Sequence, residues 1–208
     1  HIDADEWLHS SRNDETLQGG LSRLAAAGAN AVNFEEFVFL PLTPDQAAEH
    51  YYFFAPAPQR LIRAWDRRCG FSNQGQGGHR LSSTSNTPLQ VAEESLVLRH
   101  HIVRDQRQAR QKYLQRQFNP QELQKGWHSN RLRLSARQLT FPDAAELEQL
   151  SRPTQRQLQR SSPLFLFLFP RPGDPPDLWV PLLDAPGSGG SQKLGISYRG
   201  YYLDPTRS

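Results

Sequence analysis

The chain opens on His-Ile-Asp-Ala-Asp-Glu-Trp, which places the carboxylates of Asp3, Asp5 and Glu6 within four residues. If this stretch is extended, alternate side chains share a face, so Asp3 and Asp5 point one way and Glu6 the other. Two carboxylates on one face repel unless a cation sits between them. A hard divalent ion with oxygen ligands meets that need, although the same triplet also suits a solvated turn. Other residues with chemical potential are scattered downstream. Glu35, Glu36, Glu93 and Glu94 lie near apolar residues, where burial would raise a carboxyl pKa toward the range a general base needs. His100 and His101 are adjacent in Leu-Val-Leu-Arg-His-His, so on a strand they face opposite ways and only one can reach a given ion. His79 sits in a glycine-rich stretch, and Trp127 and His128 are neighbours in Gly-Trp-His-Ser-Asn.

The elements that must position these residues follow from hydrophobic spacing. Residues 1–8 read as the end of a strand running into a turn. In the following stretch, residues 13–30, Leu17, Leu21, Leu24 and Ala25 recur at spacings of three and four. That pattern predicts a helix capped by Asn13 or Asp14 and stopped by Gly28. The apolar segment 31–42 predicts a strand closed by proline, completing a strand-helix-strand rhythm of α/β type. The aromatic, proline-punctuated stretch 50–59 suggests a loop or an edge, 60–65 a short strand, and 69–86 a glycine- and serine-rich loop carrying His79. Strand character returns at 94–103, and 104–118 turns helical, with Ala109 and Tyr113, then Leu114 and Phe118, four apart. A turn, a short helix and a loop are expected across 119–134. Beyond about residue 142 the character changes, giving an expected division into 1–142 and 143–208. The second part is partly linker-like, with 143–160 polar and compatible with helix.

Composition narrows the classes. The chain has 208 residues, enough for one core and a small appendage. Hydrophobic residues make up 37% and aromatics 10%, too aromatic for a disordered chain despite a mean hydropathy of -0.69. The net charge of +3 comes from scattered basic residues, almost all arginine, which argues against nucleic acid as a partner. Cys69 is the one cysteine, so no internal disulfide forms and a reducing compartment is natural. The most apolar run, 163–169, is far shorter than the roughly 20 residues a bilayer requires, and reads as a buried strand.

Asp-Ala-Asp-Glu followed by Trp7 and Leu8 resembles the acidic motif of family 2-like glycosyltransferases of the GT-A fold. The later blocks Asn-Phe-Glu-Glu-Phe-Val-Phe-Leu-Pro, Leu-Arg-His-His-Ile-Val-Arg-Asp-Gln with the residues up to Leu114, and Gly-Trp-His-Ser-Asn-Arg-Leu are similar to downstream blocks of that group, in the same order. The resemblance covers roughly residues 1–135. It implies an α/β fold of GT-A type, a Rossmann-related mixed sheet with flanking helices. It also implies that residues 1–142 form a partial catalytic domain lacking the N-terminal nucleotide-binding half, with transfer activity weak or absent as a consequence. The implied activity is transfer of a sugar from a nucleotide-diphosphate donor to a hydroxyl of a glycan or other acceptor. Mn²⁺ or Mg²⁺ is the implied cofactor, held by Asp5 directly and by His100 from a later strand, with Asp3 reaching the metal through water or contacting the ribose. Imidazole beside carboxylates favours Mn²⁺. Glu36, inside the family-like block, is the expected general base. Trp127 and His128 would present an aromatic platform to an acceptor sugar, and His79 would lie on a loop closing over substrate. His101, at a position usually aromatic in the family, is expected to pack or stack. The expected location is cytoplasmic, at or near the inner face of a membrane, with peripheral rather than transmembrane association.

Three other readings compete. A metal-dependent phosphoester hydrolase would use Asp3, Asp5, His100 and His101, but such sites usually gather more His and Asp ligands than the sequence offers. A non-catalytic binding protein would leave the acidic turn merely solvated. A copper site built on an amino-terminal His1 would need a processed signal peptide and a partner histidine, and no other motif here resembles the oxidative polysaccharide-cleaving enzymes that use one.

Overall fold

In a computed structural model of the chain, the described residues are 2–43, 48–54, 61–73, 81–83, 85–124, 134–136, 139 and 141–160. They form a mixed α/β structure with few helices. In chain order these are β1 (Glu6–His9), α1 (Leu17–Ala26), β2 (Ala31–Leu40), β3 (His50–Phe54), β4 (Ile62–Trp65), β5 (Phe71–Ser72), β6 (Ser82–Ser83), β7 (Leu96–His100), α2 (Gln106–Tyr113), α3 (Pro120–Gln124) and β8 (Glu148–Gln149). The main sheet runs β1-β7-β2-β3-β8, with β4 also paired to β2. The chain divides into two compact units. One comprises His1–Phe39, Glu49–Ile102 and Glu148–Ser161; the other comprises Leu40–Ala48, Val103–Leu147 and Ser162–Ser208.

Helix α1 forms because Leu17, Leu21 and Leu24 fall on one face, which packs on a core of Val32, Phe34, Leu61, Ala92, Leu96 and Leu98. Its N-cap is Thr16, whose hydroxyl accepts from the Gly19 amide at 3.0 Å, not Asn13 or Asp14. The Asn13 side chain is engaged elsewhere, accepting from the Arg156 amide at 2.8 Å. The helix ends as expected at Gly28, whose φ of 95° lets the Gly28 and Ala29 amides fold back onto the carbonyls of Ala25 and Leu24. Arg23 ties α1 down through Glu15 at 3.0 Å and Glu94 at 2.6 Å. Strand β2 is buried along nearly its whole length, which accounts for its almost unbroken apolar sequence.

The order of turn and strand at the start of the chain is the reverse of the expected one. Asp3 to Glu6 form the turn, closed by the Glu6 amide on the Asp3 carbonyl at 3.1 Å, and the strand begins at Glu6. Nor do β1 and β2 lie side by side. β7 inserts between them, antiparallel to β1 and parallel to β2. The stretch 50–54, expected as loop or edge, is strand β3. The glycine-rich stretch after Cys69 contributes the small hairpin β5–β6. The polar stretch 143–160 is not helical beyond the single turn Ala144–Glu146: Glu148–Gln149 pair with β3, and 150–160 run without helix or strand. In the second unit, α2 is capped by Asp105, which accepts from the Gln108 amide at 2.7 Å, and buries Ala109 and Tyr113. The apolar run 163–169 lies outside the described residues.

Candidate functional site

The register of β1, β7 and β2 decides which side chains meet. Glu6 pairs with His100 and Leu8 with Leu98, while Glu36 pairs with Leu98 and Val38 with His100. Alternation along each strand therefore puts Glu6, His100 and Glu36 on one face, with Glu36 and His100 as diagonal neighbours. Trp7, Arg99 and Phe37 fall on the other face.

His100 sits between two carboxylates. Its Nδ1 is 2.6 Å from Glu36 Oε1, and its Nε2 is 3.6 Å from Asp5 Oδ2. Glu36 is 5% exposed, whereas the Asp5 side chain is 35% exposed, so the imidazole bridges a buried carboxylate and a solvent-facing one. Burial pulls the His100 pKa down, but the carboxylates of Asp5 and Glu36 outweigh it and push the value up to about 9. Asp5 is held by its backbone as well, because its carbonyl accepts the His101 amide at 2.8 Å and extends the β1–β7 ladder by one bond.

Asp3 lies apart from this trio. Its carboxylate is 3.4 Å from Arg63 Nη2, and Arg63 also pairs with the buried Glu6. His101 faces the other way, as adjacent strand residues must. Its ring stacks on Phe39 with centroids 5.0 Å apart and touches Trp7 at 4.9 Å. Burial, with the nearby cations Arg99 and His100, lowers its pKa. Of the other carboxylates considered, Glu35 points to the opposite face from Glu36 and pairs with Arg160 at 2.6 Å. Glu94 is taken up by Arg23 and by the Ser11 hydroxyl. His79, Trp127 and His128 lie outside the described residues.

The donor set is compatible with a hard or borderline divalent ion. Asp5 supplies a partly exposed carboxylate, and His100 turns Nε2 toward it. Glu36 holds the other ring nitrogen, the arrangement by which a carboxylate fixes the tautomer of a metal-binding imidazole. Among the described residues no group of three His, Cys, Asp or Glu is gathered that could hold an ion. Two protein ligands suffice for ions that keep waters and substrate oxygens in their remaining positions. Neutral His100 is needed for ligation, so its raised pKa makes uptake compete with a proton.

Sequence reasoning missed Arg63. The signal was an arginine inside the short apolar stretch Leu61–Trp65, where a charge is costly unless paired. Among the described residues no helix is long and apolar enough to cross a membrane. No family model, curated protein or solved structure matches this chain.

Proposed function

We propose that this chain carries the metal-binding part of a GT-A-type glycosyltransferase, acting on a nucleotide-diphosphate sugar and a hydroxyl acceptor. The observation that carries the reading is that Glu36 and Asp5 approach the two ring nitrogens of His100, at 2.6 Å and 3.6 Å. These residues come from three separate stretches of the sequence, near positions 5, 36 and 100. Asp5 and His100 would hold Mn²⁺ or Mg²⁺, which when bound supplies positive charge against the departing diphosphate.

The chain's own residues do the rest. In neutral His100, Nδ1–H would donate to Glu36, which leaves the Nε2 lone pair on the Asp5 side. Asp5 keeps its carboxylate at the solvent-facing rim, where a charged ligand can approach. Glu36 is proposed as the general base. His79, Trp127 and His128 are proposed to contact substrate. The test is equilibrium binding of a nucleotide-diphosphate sugar with and without Mn²⁺. Metal-dependent binding that weakens at least tenfold in Asp5→Ala and in His100→Ala supports the reading, since losing even an outer-shell support of a metal ligand costs about that much. Metal-independent binding, or phosphoester hydrolysis without a nucleotide requirement, contradicts it.

A further inference from the structure

Strand β4 pairs with β2 through an irregularity. Val32 faces Ala64 and Asn33 faces Ile62, so Arg63 is the residue skipped in the ladder. A bulge of this kind lets two residues oppose one and turns a side chain out of its regular direction. The Arg63 side chain is 1% exposed, and its guanidinium ends at the acidic turn. There Nη2 meets Glu6 Oε1 and lies 3.4 Å from Asp3 Oδ2.

Glu6 completes the link. Its Oε2 accepts the Asp3 amide at 3.1 Å, while its own amide donates to the Asp3 carbonyl at 3.1 Å. The turn from Asp3 to Glu6 is thus closed twice, once through backbone and once through a carboxylate that Arg63 holds. Asp5 lies inside that turn, and its carbonyl receives the His101 amide. Any slack at Glu6 therefore reaches Asp5 from one side while β7 anchors it from the other.

We infer that Arg63, delivered by the bulge in β4, is the positioning residue of the acidic turn, acting through Glu6. By engaging the Asp3 carboxylate it leaves Asp5 as the direct ligand of a divalent ion. The identity of that ligand rests on the function proposed above, whereas the positioning role itself does not.

A lone substitution of either partner would strand a buried charge and risk the fold. Replacing a buried ion pair by apolar residues of similar volume is usually tolerated, so the informative variant is Glu6→Leu with Arg63→Met. Its circular dichroism and unfolding midpoint should match wild type. Amide hydrogen exchange at Glu6 and His101 should nonetheless accelerate about tenfold or more, and Mn²⁺ affinity should fall about 10- to 100-fold, as when support of a metal ligand is lost. Arg63→Lys keeps the charge on a shorter side chain that ends in a compact ammonium, and should show smaller changes in the same direction. Unchanged exchange at Glu6 and His101 in a folded double variant, or in Arg63→Lys should the double variant not fold, overturns the inference. So does a folded double variant that keeps wild-type Mn²⁺ affinity. Faster exchange in a protein whose wild type takes up no Mn²⁺ would leave the positioning role standing and remove the sugar-transfer reading.

Discussion

Replacing Glu36 by Gln keeps the shape and the hydrogen-bond acceptor facing His100 Nδ1 but removes the charge. Burial depresses the His100 pKa, and the two carboxylates more than offset it, raising it from 6.5 to about 9. At about 1.4 kcal/mol per pKa unit, the net shift corresponds to about 3 kcal/mol, the excess of the attraction from Asp5 and Glu36 over the burial penalty. A group whose folded pKa is raised stabilises fully below its unfolded value and loses that contribution as pH climbs through the folded one. Wild type should therefore lose stability between 6.5 and about 9. Glu36→Gln should be less stable by about 1–2 kcal/mol at the acid end of that window, with the difference closing toward its alkaline end. Urea unfolding followed by tryptophan fluorescence, repeated across the window without added metal, measures both curves. Curves that run parallel at every pH would refute the assignment of the raised pKa to the Glu36 charge.

Two further perturbations probe the surroundings. His9 is pushed down to about 4 by burial and then by Arg99, Arg156 and His101. It should titrate near that value by NMR, and stability should fall as pH drops from 6.5 toward it, by about 1 kcal/mol after discounting for the half-exposed ring. Leu24→Ala removes the deepest α1 anchor from the core shared with Phe34, Leu96 and Leu98, and should cost about 2–5 kcal/mol in chemical denaturation.

The parts legible in the sequence are those set by local spacing. The leucines of α1, the unbroken apolar run of β2, the strand before His100 and the Ala109–Tyr113 spacing of α2 announce themselves through period, although α2 stops at Tyr113 short of the expected Phe118. Pairing across the sheet does not, because the insertion of β7 between β1 and β2 is a contact between distant segments that no local pattern encodes. The polar stretch after Asp143 has leucines spaced well enough for a helix, yet Pro153 lacks the amide a helix needs. The carbonyls of Pro153 and Gln155 instead accept from Arg99. At the site, Asp5, Glu36 and His100 were identifiable by type and by resemblance. Their meeting depended on register, and the part played by Arg63 depended on a one-residue bulge.

Divalent-ion uptake at Asp5 and His100 is the central requirement of the proposed function. Isothermal calorimetry of Mn²⁺ binding near neutral pH, run in buffers of different ionisation enthalpy, reads affinity and proton release together. One binding event that releases close to one proton is expected, since His100, its pKa pushed up to about 9, must become neutral to ligate. Loss of that event is expected in both Asp5→Ala and His100→Ala. Uptake with no proton released, uptake indifferent to both substitutions, or no uptake by the wild-type chain would contradict the proposed function.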